Sequence, residues 1–436
     1  MPTSLPIKEY MPLTNEILAR RLKEARIAVG VSQAQAAEVL GIMRPAISQI
    51  ETGDRKVGSL ELDKLASLYG RLSGDLLEEE FDPDESLLAA FRAVGAQSLE
   101  WNVQQAVIDR CRKIAKATRE LEEALDIGPP LGRGGLGHFG TAPTENTWQA
   151  IQQGENAAIL ERRRLGLGQA PVPDLVDLLE AQGILTATLN LPEGVDGLTL
   201  ILPDGPFVAI NRQEPTLPRR RFSLAHEYGH VILDARVRAS VTHRDFQDDV
   251  REKRANRFAA AFLLPEEGVV DLLTSVGKPP RSNTSSVMEG GHVYSMRNTN
   301  PASDTEIQPH DVVHLSHYFG ASHLAVLYRL KSLAYLSEQN LQKLMSARES
   351  GVLKKLSSAF FDERNEAAPS ASTPDRFHRR FLALLLEALR RDEISLGHAT
   401  DYAVLAGFDS KDFHGVVQTS GVAPRKGRIR NPRLGE

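Results

Sequence analysis

The stretch Arg219-Arg220-Arg221-Phe222-Ser223-Leu224-Ala225-His226-Glu227-Tyr228-Gly229-His230-Val231-Ile232-Leu233-Asp234 decides how the rest of the chain is read. It contains the pattern H-E-x-x-H. On a helix, His226 and His230 stand one turn apart on one face, so both imidazoles can reach a single Zn2+. Zinc lowers the pKa of a bound water to about 7, which makes a nucleophile available at neutral pH. Glu227 lies beside the pair, placed to accept that proton and later deliver it to a leaving amine. Phe222, Leu224, Val231, Ile232 and Leu233 are the apolar companions that anchor such a helix in a core. Tyr228 is turned about 100° away from Glu227 and reads as packing.

A catalytic zinc needs a third protein ligand and one open position. No third histidine follows at the short metzincin spacing. The next helical pattern offers Glu252, with Ala255, Asn256 and Ala259 at helical spacing on about the same face. Asp248, one turn earlier, and His243, in the preceding loop, are rivals that spacing alone leaves open. The chain has a single cysteine, Cys111. A thiol-based metal site and an intramolecular disulfide are therefore excluded, which fits a reducing, cytoplasmic setting. Any metal must rest on His and carboxylate ligands.

Around this core the pattern mixes helices and strands. Helices are expected near Asn146–Arg163, Pro171–Glu180, Phe222–Asp234 and Gln247–Leu264, and strands over Ile184–Leu189, Gly197–Leu202 and Phe207–Asn211. The strand Gly197–Leu202 is expected to be an edge strand above the zinc helix, where an extended peptide could pair. The segments Arg163–Leu167, Pro171–Leu175, Val195–Leu198, Phe207–Asn211, Arg221–His230 and Glu252–Pro265 together resemble the ImmA/IrrE family of metallopeptidases, over roughly residues 150 to 335. That resemblance implies an α+β zincin-like fold, His226, His230 and Glu252 as zinc ligands, and Glu227 as general acid/base. It also implies a protein substrate, a helix-turn-helix repressor cleaved in a stress or mobile-element response. Mn2+ is an alternative to zinc. His292, Tyr294, His314 and His317 are candidates for stabilising an oxyanion.

Nearer the N-terminus, four short helical patterns fill residues 15 to 76. Ser32 and Gln35 have the spacing of a capping box, Gly41-Ile42-Met43 makes a tight turn, and Ser59 is expected to cap the fourth helix. With Leu22, Ala36, Leu40, Ile47, Ile50, Leu62 and Leu65 as its apolar positions, this suits a helix-turn-helix. Ser32-Gln33, Gly41, Arg44, Ile47-Ser48-Gln49-Ile50-Glu51 and Gly53 resemble the Cro/phage-repressor family. By that resemblance Gln33, Arg44, Ala46, Ser48 and Gln49 face the groove or phosphates of double-stranded operator DNA. Met43 at the capping position and Pro45 at a contact position depart from the pattern. Lys and Arg barely outnumber Asp and Glu in this segment, so its electrostatic pull on DNA is expected to be modest.

The 436 residues carry 52 Lys and Arg against 57 Asp and Glu, a net charge of -5, which excludes a chain-wide cationic wrapper of nucleic acid. The N-terminus lacks a signal-peptide shape and no apolar run is long enough to span a membrane. The expected layout is multidomain. An all-α helix-turn-helix domain occupies 1–76, a helical arm 77–127, a Gly/Pro-rich linker 128–145, the peptidase 146–345 and a helical region with a basic tail 346–436. The arm's apolar stripe, from Leu87 to Ile114, reads as internal packing or as the seam of a homodimer. Gly132, Gly134 and Gly137 match a dinucleotide spacing, but no strand precedes them, so nucleotide binding is not expected. Residues 275–308 are expected to form an exposed or mobile insertion, and a last helical pair is expected over Asp375–Leu405. The expected function is a DNA-binding regulatory zinc peptidase. The alternative is a transcriptional regulator whose peptidase-like domain senses without turnover.

Overall fold

The computed structural model describes residues 14–29, 31–71, 73–74, 76–77, 81, 101–127, 146–202, 205–214, 216–234, 239–243, 249–278, 284–289, 292–297, 306–361 and 379–422. These form two compact units. One takes in the described residues up to 113 together with 200–202 and 239–241, and the other takes in the rest. The linker, the glycine motif at 132–137, the first part of the arm, Asp248 and the basic tail lie outside the described residues.

The first unit opens with four helices, α1 (Asn15–Ala28), α2 (Gln33–Leu40), α3 (Arg44–Thr52) and α4 (Ser59–Leu68). Their boundaries follow from local chemistry. The Ser32 hydroxyl accepts from Gln35 N (3.2 Å) and Gln35 Oε1 accepts from Ser32 N (2.8 Å), the expected capping box. Gly41 ends α2 in the left-handed region (φ 68°), which glycine adopts without a Cβ penalty. Met43 caps α3 with no side-chain hydrogen bond. The cap of α4 is Gly58 rather than Ser59. Glu61 reaches back to Gly58 N (3.0 Å), so the carboxylate does the capping and Ser59 is already helical. Leu22, Ala36, Ile47, Ile50, Leu62 and Leu65 are buried, as expected. Helix α5 (Trp101–Ala124) buries Val107, Ile108, Cys111 and Ile114 within the single chain, so this part of the stripe packs internally.

Further along the chain, α6 (Thr147–Arg164) and α7 (Leu175–Ala181) come before β1 (Leu185–Leu189), β2 (Val195–Leu202) and β3 (Gly205–Asn211). Then come α8 (Leu217–Leu233), β4 (Ala239–His243), α9 (Val250–Leu263) and α10 (Glu266–Ser275). The sheet order is β1-β3-β2-β4, with β1 and β3 parallel and Leu185 opposite Phe207. Strand β2 is therefore central, which corrects the expectation of an edge strand at Gly197–Leu202. The edge near α8 is β4, a strand too short and weakly patterned to be read from the sequence.

Within the stretch expected to be an exposed or mobile insertion, residues 284–289 and 292–297 form an antiparallel hairpin, β5 and β6. Their Ser- and Thr-rich composition hides the pairing, because backbone hydrogen bonds can join polar strands. Helices α11 (Pro309–Phe319), α12 (His323–Ser332), α13 (Glu338–Glu349) and α14 (Val352–Phe360) follow. The last region holds three helices, α15 (Arg379–Arg390), α16 (Leu396–Ala406) and α17 (Ser410–Thr419), not the expected pair. They share an apolar core with Ala117 and Leu121 of α5 and with Leu125 just past its end.

Close packing sets the position of α9. Ala150, Gly154, Ala157 and Ala158 line the buried face of α6, and a Cβ on Gly154 would fall 2.3 Å from Arg254 O. Only glycine lets these backbones approach so closely. Helix α12 is tied to the same pair of helices. The buried Arg329 donates to both carboxylate oxygens of Glu155 (2.9 Å each) and to Leu264 O (2.8 Å). Arg257 pairs with the same carboxylate at 2.5 Å. Such a pair is costly to break one partner at a time, so it fixes α12 in register with α6 and α9.

Glu180, at the end of α7, accepts from the Thr186 hydroxyl (2.8 Å) and is buried, and burial pushes its pKa up to about 7. Its folded-state pKa lies above the unfolded value. The stability linked to it is thus fully present below about pH 4.5 and is lost as pH rises through 7. Glu180→Gln keeps an acceptor for Thr186 and removes the ionisation. We expect the variant to be more stable than wild type by about 2–3 kcal/mol at pH 8.5, with the gap closing by pH 4. Denaturant unfolding at both pH values checks this.

Candidate active site

Helix α8 begins at the Thr216 cap, whose hydroxyl accepts from Arg219 N (3.4 Å), and every residue from Ser223 to Leu233 is buried. The buried run includes His226, Glu227 and His230, three polar groups that must find partners inside. Tyr228 lies on the core side against Phe258 and Phe262, and its hydroxyl donates to Glu161. Packing is thus its role.

His226 Nε2 and His230 Nε2 are 3.1 Å apart. Glu252 of α9 closes the group, with Oε2 3.0 Å from His226 Nε2 and Oε1 3.3 Å from His230 Nε2. Among the described residues, this is the group of His, Cys and carboxylate side chains able to share a metal ion. The outer ring nitrogens are also engaged. His226 Nδ1 is 3.0 Å from Asn256 Oδ1, and His230 Nδ1 is 2.8 Å from Asp234 Oδ2. Asp234 is held in turn by Arg254. Both partners offer oxygen atoms to Nδ1, so the rings are held with Nδ1 outward and Nε2 toward Glu252.

Two imidazole Nε2 atoms and a carboxylate within 3.3 Å of one another, with Asp234 behind His230, make a buried pocket that favours positive charge. The electrostatics show the same demand. Burial works to lower the His230 pKa, but the Glu252 and Asp234 carboxylates outweigh it and hold it well above the usual value. Burial works to raise Glu252, and the facing histidines bring it below the carboxylate range. Two imidazole nitrogens and a carboxylate are a donor set that fits a divalent cation.

Glu227 points into the same space. Its Oε2 accepts from the Thr199 hydroxyl of β2 (2.6 Å), whereas Oε1 is buried and makes no hydrogen bond. Burial raises its pKa, against the pull of His230, His226 and Thr199. Room for this carboxylate comes from Gly197, where a Cβ would fall 2.3 Å from Oε1. The cavity in front has a volume of about 300 Å³. Asp196, Arg219, Thr242 and His243 line its polar end. Thr242 on β4 brings its hydroxyl to 3.1 Å from His226 Nε2, so the edge strand reaches the cluster.

The expected residues His226, Glu227, His230 and Glu252 are thus brought together. His243 lines the cavity outside the His226–His230–Glu252 group, with its ring against Gly194. His314 and His317 do not line the cavity but pack on Phe360 and Phe361. The side chains of His292 and Tyr294 lie outside the described residues. Asp234, Asn256, Thr199 and Gly197 belong to the site without being part of the H-E-x-x-H pattern. Asp234 and Asn256 each lie four residues past a member of the cluster, a spacing that could have marked them.

In the N-terminal unit, Arg44, Ser48 and Gln49 are exposed on α3 and Ala46 is half-buried. Gln33 is also half-buried, and its amide donates to Glu51 (2.9 Å), which pairs with Arg26. Arg44, Ser48 and Gln49 are therefore open to a partner, while Gln33 is partly held by its own domain.

The match to known proteins falls on these parts. Residues 179–274 match the family of the IrrE N-terminal-like domain, and residues 17–79 match a helix-turn-helix domain. A curated relative, the radiation response metalloprotease IrrE of Deinococcus deserti, is 34% identical over 112 residues. That match covers 22% of this chain and 39% of the relative's length. No helix among the described residues is long and apolar enough to cross a membrane. Residues 179–274 are thus similar to an IrrE N-terminal-like domain, and residues 17–79, earlier in the sequence, to a helix-turn-helix domain.

Proposed function

We propose that this chain is a DNA-binding regulatory zinc metallo-endopeptidase that cleaves a regulatory protein, in the first instance a helix-turn-helix repressor, in the cytoplasm. The observation that supports this most is the juxtaposition of His226, His230 and Glu252 with the uncommitted Oε1 of Glu227 at one cavity. His226 and His230 would hold the metal through Nε2 and Glu252 through its carboxylate, with Mn2+ as a second candidate ion. When bound, zinc supplies a Lewis acid that makes water nucleophilic near neutral pH.

The chain's own residues do the rest. Glu227 takes the water's proton at Oε1 while Thr199 fixes Oε2, so the carboxylate does not swing away. It then returns the proton to the departing amide nitrogen. Asp234 and Asn256 hold the imidazoles in the ligating tautomer. Among the described residues β4 is the outer strand of the sheet, a position that suits main-chain pairing with an extended segment of the substrate. In this reading residues 1–76 read DNA and 146–345 carry the peptidase. The relative's name, a radiation response metalloprotease, supports a stress role.

The test is cleavage of the neighbouring gene's product and of candidate helix-turn-helix repressors, by wild type and by Glu227→Gln. Glu227-dependent cutting supports the reading. Bound zinc without such cutting would favour a sensor that does not turn over.

DNA binding is tested apart from this. Arg44→Ala and Gln49→Ala are each expected to weaken operator binding by about 1–3 kcal/mol in a salt-titrated shift assay. Unchanged affinity and specificity in both variants would remove α3 from the groove.

A further inference from the structure

Helix α12 follows α11 through the same turn that joins α2 to α3. In each, a left-handed glycine ends the first helix, Gly41 at φ 68° and Gly320 at φ 62°. The next amide donates back five residues, Ile42 N to Ala37 O and Ala321 N to Ser316 O, both at 3.0 Å. The residue after that is the cap of the second helix, Met43 or Ser322. Counted from the glycine, Pro45, Ala46 and Gln49 of α3 correspond to Leu324, Ala325 and Tyr328 of α12. In α3, Pro45 and Gln49 are exposed on the face proposed to read DNA. In α12, all three corresponding positions line the metal-site cavity. None of the three carries a charge to meet a phosphate, and together they offer apolar surface.

The pairings along α8 and α9 locate this surface. His230 meets Glu252 and His226 meets Asn256, so the helices run antiparallel. One turn further on, Phe222 and Ala260 come level, and both line the cavity. Four helical residues span about 6 Å. That is the distance from a scissile carbonyl to the far part of a neighbouring side chain.

We propose that α12 is the substrate-reading helix of this site. Leu324, Ala325 and Tyr328, with Phe222 and Ala260, form a compartment for one aliphatic or aromatic side chain next to the scissile bond. The inference rests on the peptidase reading of the same cavity. It explains why Tyr328, a large side chain that is 56% exposed, stands at the mouth of a polar site. It also explains why Arg329, the next residue, is locked by Glu155. The reading face cannot rotate away from the cavity.

The test incubates the zinc-loaded full-length chain with a mixed peptide library and reads the cut sites by mass spectrometry. One position beside the cut is expected to favour Leu, Met or Phe over Gly, Asp and Lys by about ten-fold or more. Ala325→Phe fills the compartment and is expected to lower the Leu-to-Ala ratio of kcat/KM there by about ten-fold. Leu324→Asp is expected to admit Lys and Arg at that position, and reads the same quantity should Ala325→Phe fail to fold. Both variants are expected to bind zinc at the wild-type stoichiometry. Wild type that cuts without apolar preference, or variants that keep the wild-type preference, would overturn the compartment while leaving the peptidase reading intact. Wild type that cuts neither library nor repressor would overturn both.

Discussion

Glu227→Gln is expected to lower kcat by about 10³-fold or more while zinc stays bound. The substitution is nearly isosteric. Glutamine keeps a carbonyl oxygen for the Thr199 hydroxyl and fits the space above Gly197. What it lacks is a basic site, so the proton of the attacking water has no acceptor at Oε1. Burial already pushes the Glu227 pKa up, so a neutral amide costs the fold nothing and the unfolding midpoint is expected to hold or rise. KM is expected to move little, since Glu227 is not assigned to substrate binding. The measurement is kcat, KM and zinc content on one preparation. Retained activity would remove Glu227 from the proton path. Lost zinc would instead show that it helps hold the metal.

Gly197→Ala is expected to cost about 10²-fold in kcat without removing any chemical group. The Cβ would lie 2.3 Å from Glu227 Oε1 and 2.8 Å from Cδ, closer than packed atoms come. The strand is central and its backbone extended, so alanine suits the local conformation better than glycine does. The carboxylate, at the end of a side chain, is the part able to move. It would be displaced from the space it shares with the metal-ligating groups, and Glu227 would keep its basicity but lose its aim. The expected pattern is a fall in kcat with KM, zinc stoichiometry and the cluster of His226, His230 and Glu252 preserved. Ala at this position with full activity would show that Glu227 has freedom the packing denies it.

These two residues also mark where the sequence was legible and where it was not. Glu227 belongs to a local pattern whose helical spacing places its neighbours without knowledge of the rest of the chain. The capping box at Ser32 and Gln35, the glycine turn at Gly41 and the face of α9 that carries Glu252 are local in the same way. Gly197 and Thr199 act on Glu227 from a strand about 30 residues earlier, and only the sheet order brings them beneath it. That order also decides which strand is the edge, and periodicity within β2 carries no information about its neighbours. The hairpin at 284–297 mixes Ser, Thr and charged residues with only Val287, Val293 and Tyr294 as strong strand formers, a composition that reads as loop until the strands pair. Helix α17 opens on Ser410-Lys411-Asp412 and contains Gly415, so its helical preference is weak and its place comes from burying Phe413 and Val417. Partners distant in sequence, rather than local propensity, settle the sheet order and the place of α17.

Metal binding at His226, His230 and Glu252 is the claim on which the rest depends. Reconstitution with zinc followed by X-ray absorption at the zinc edge tests it most directly, in wild type and in Glu252→Ala. The account predicts one zinc per chain in wild type, bound by two imidazole nitrogens and a carboxylate oxygen, with affinity reduced in the variant. Stoichiometric zinc bound as tightly in Glu252→Ala as in wild type, or no stoichiometric zinc at all, would contradict it.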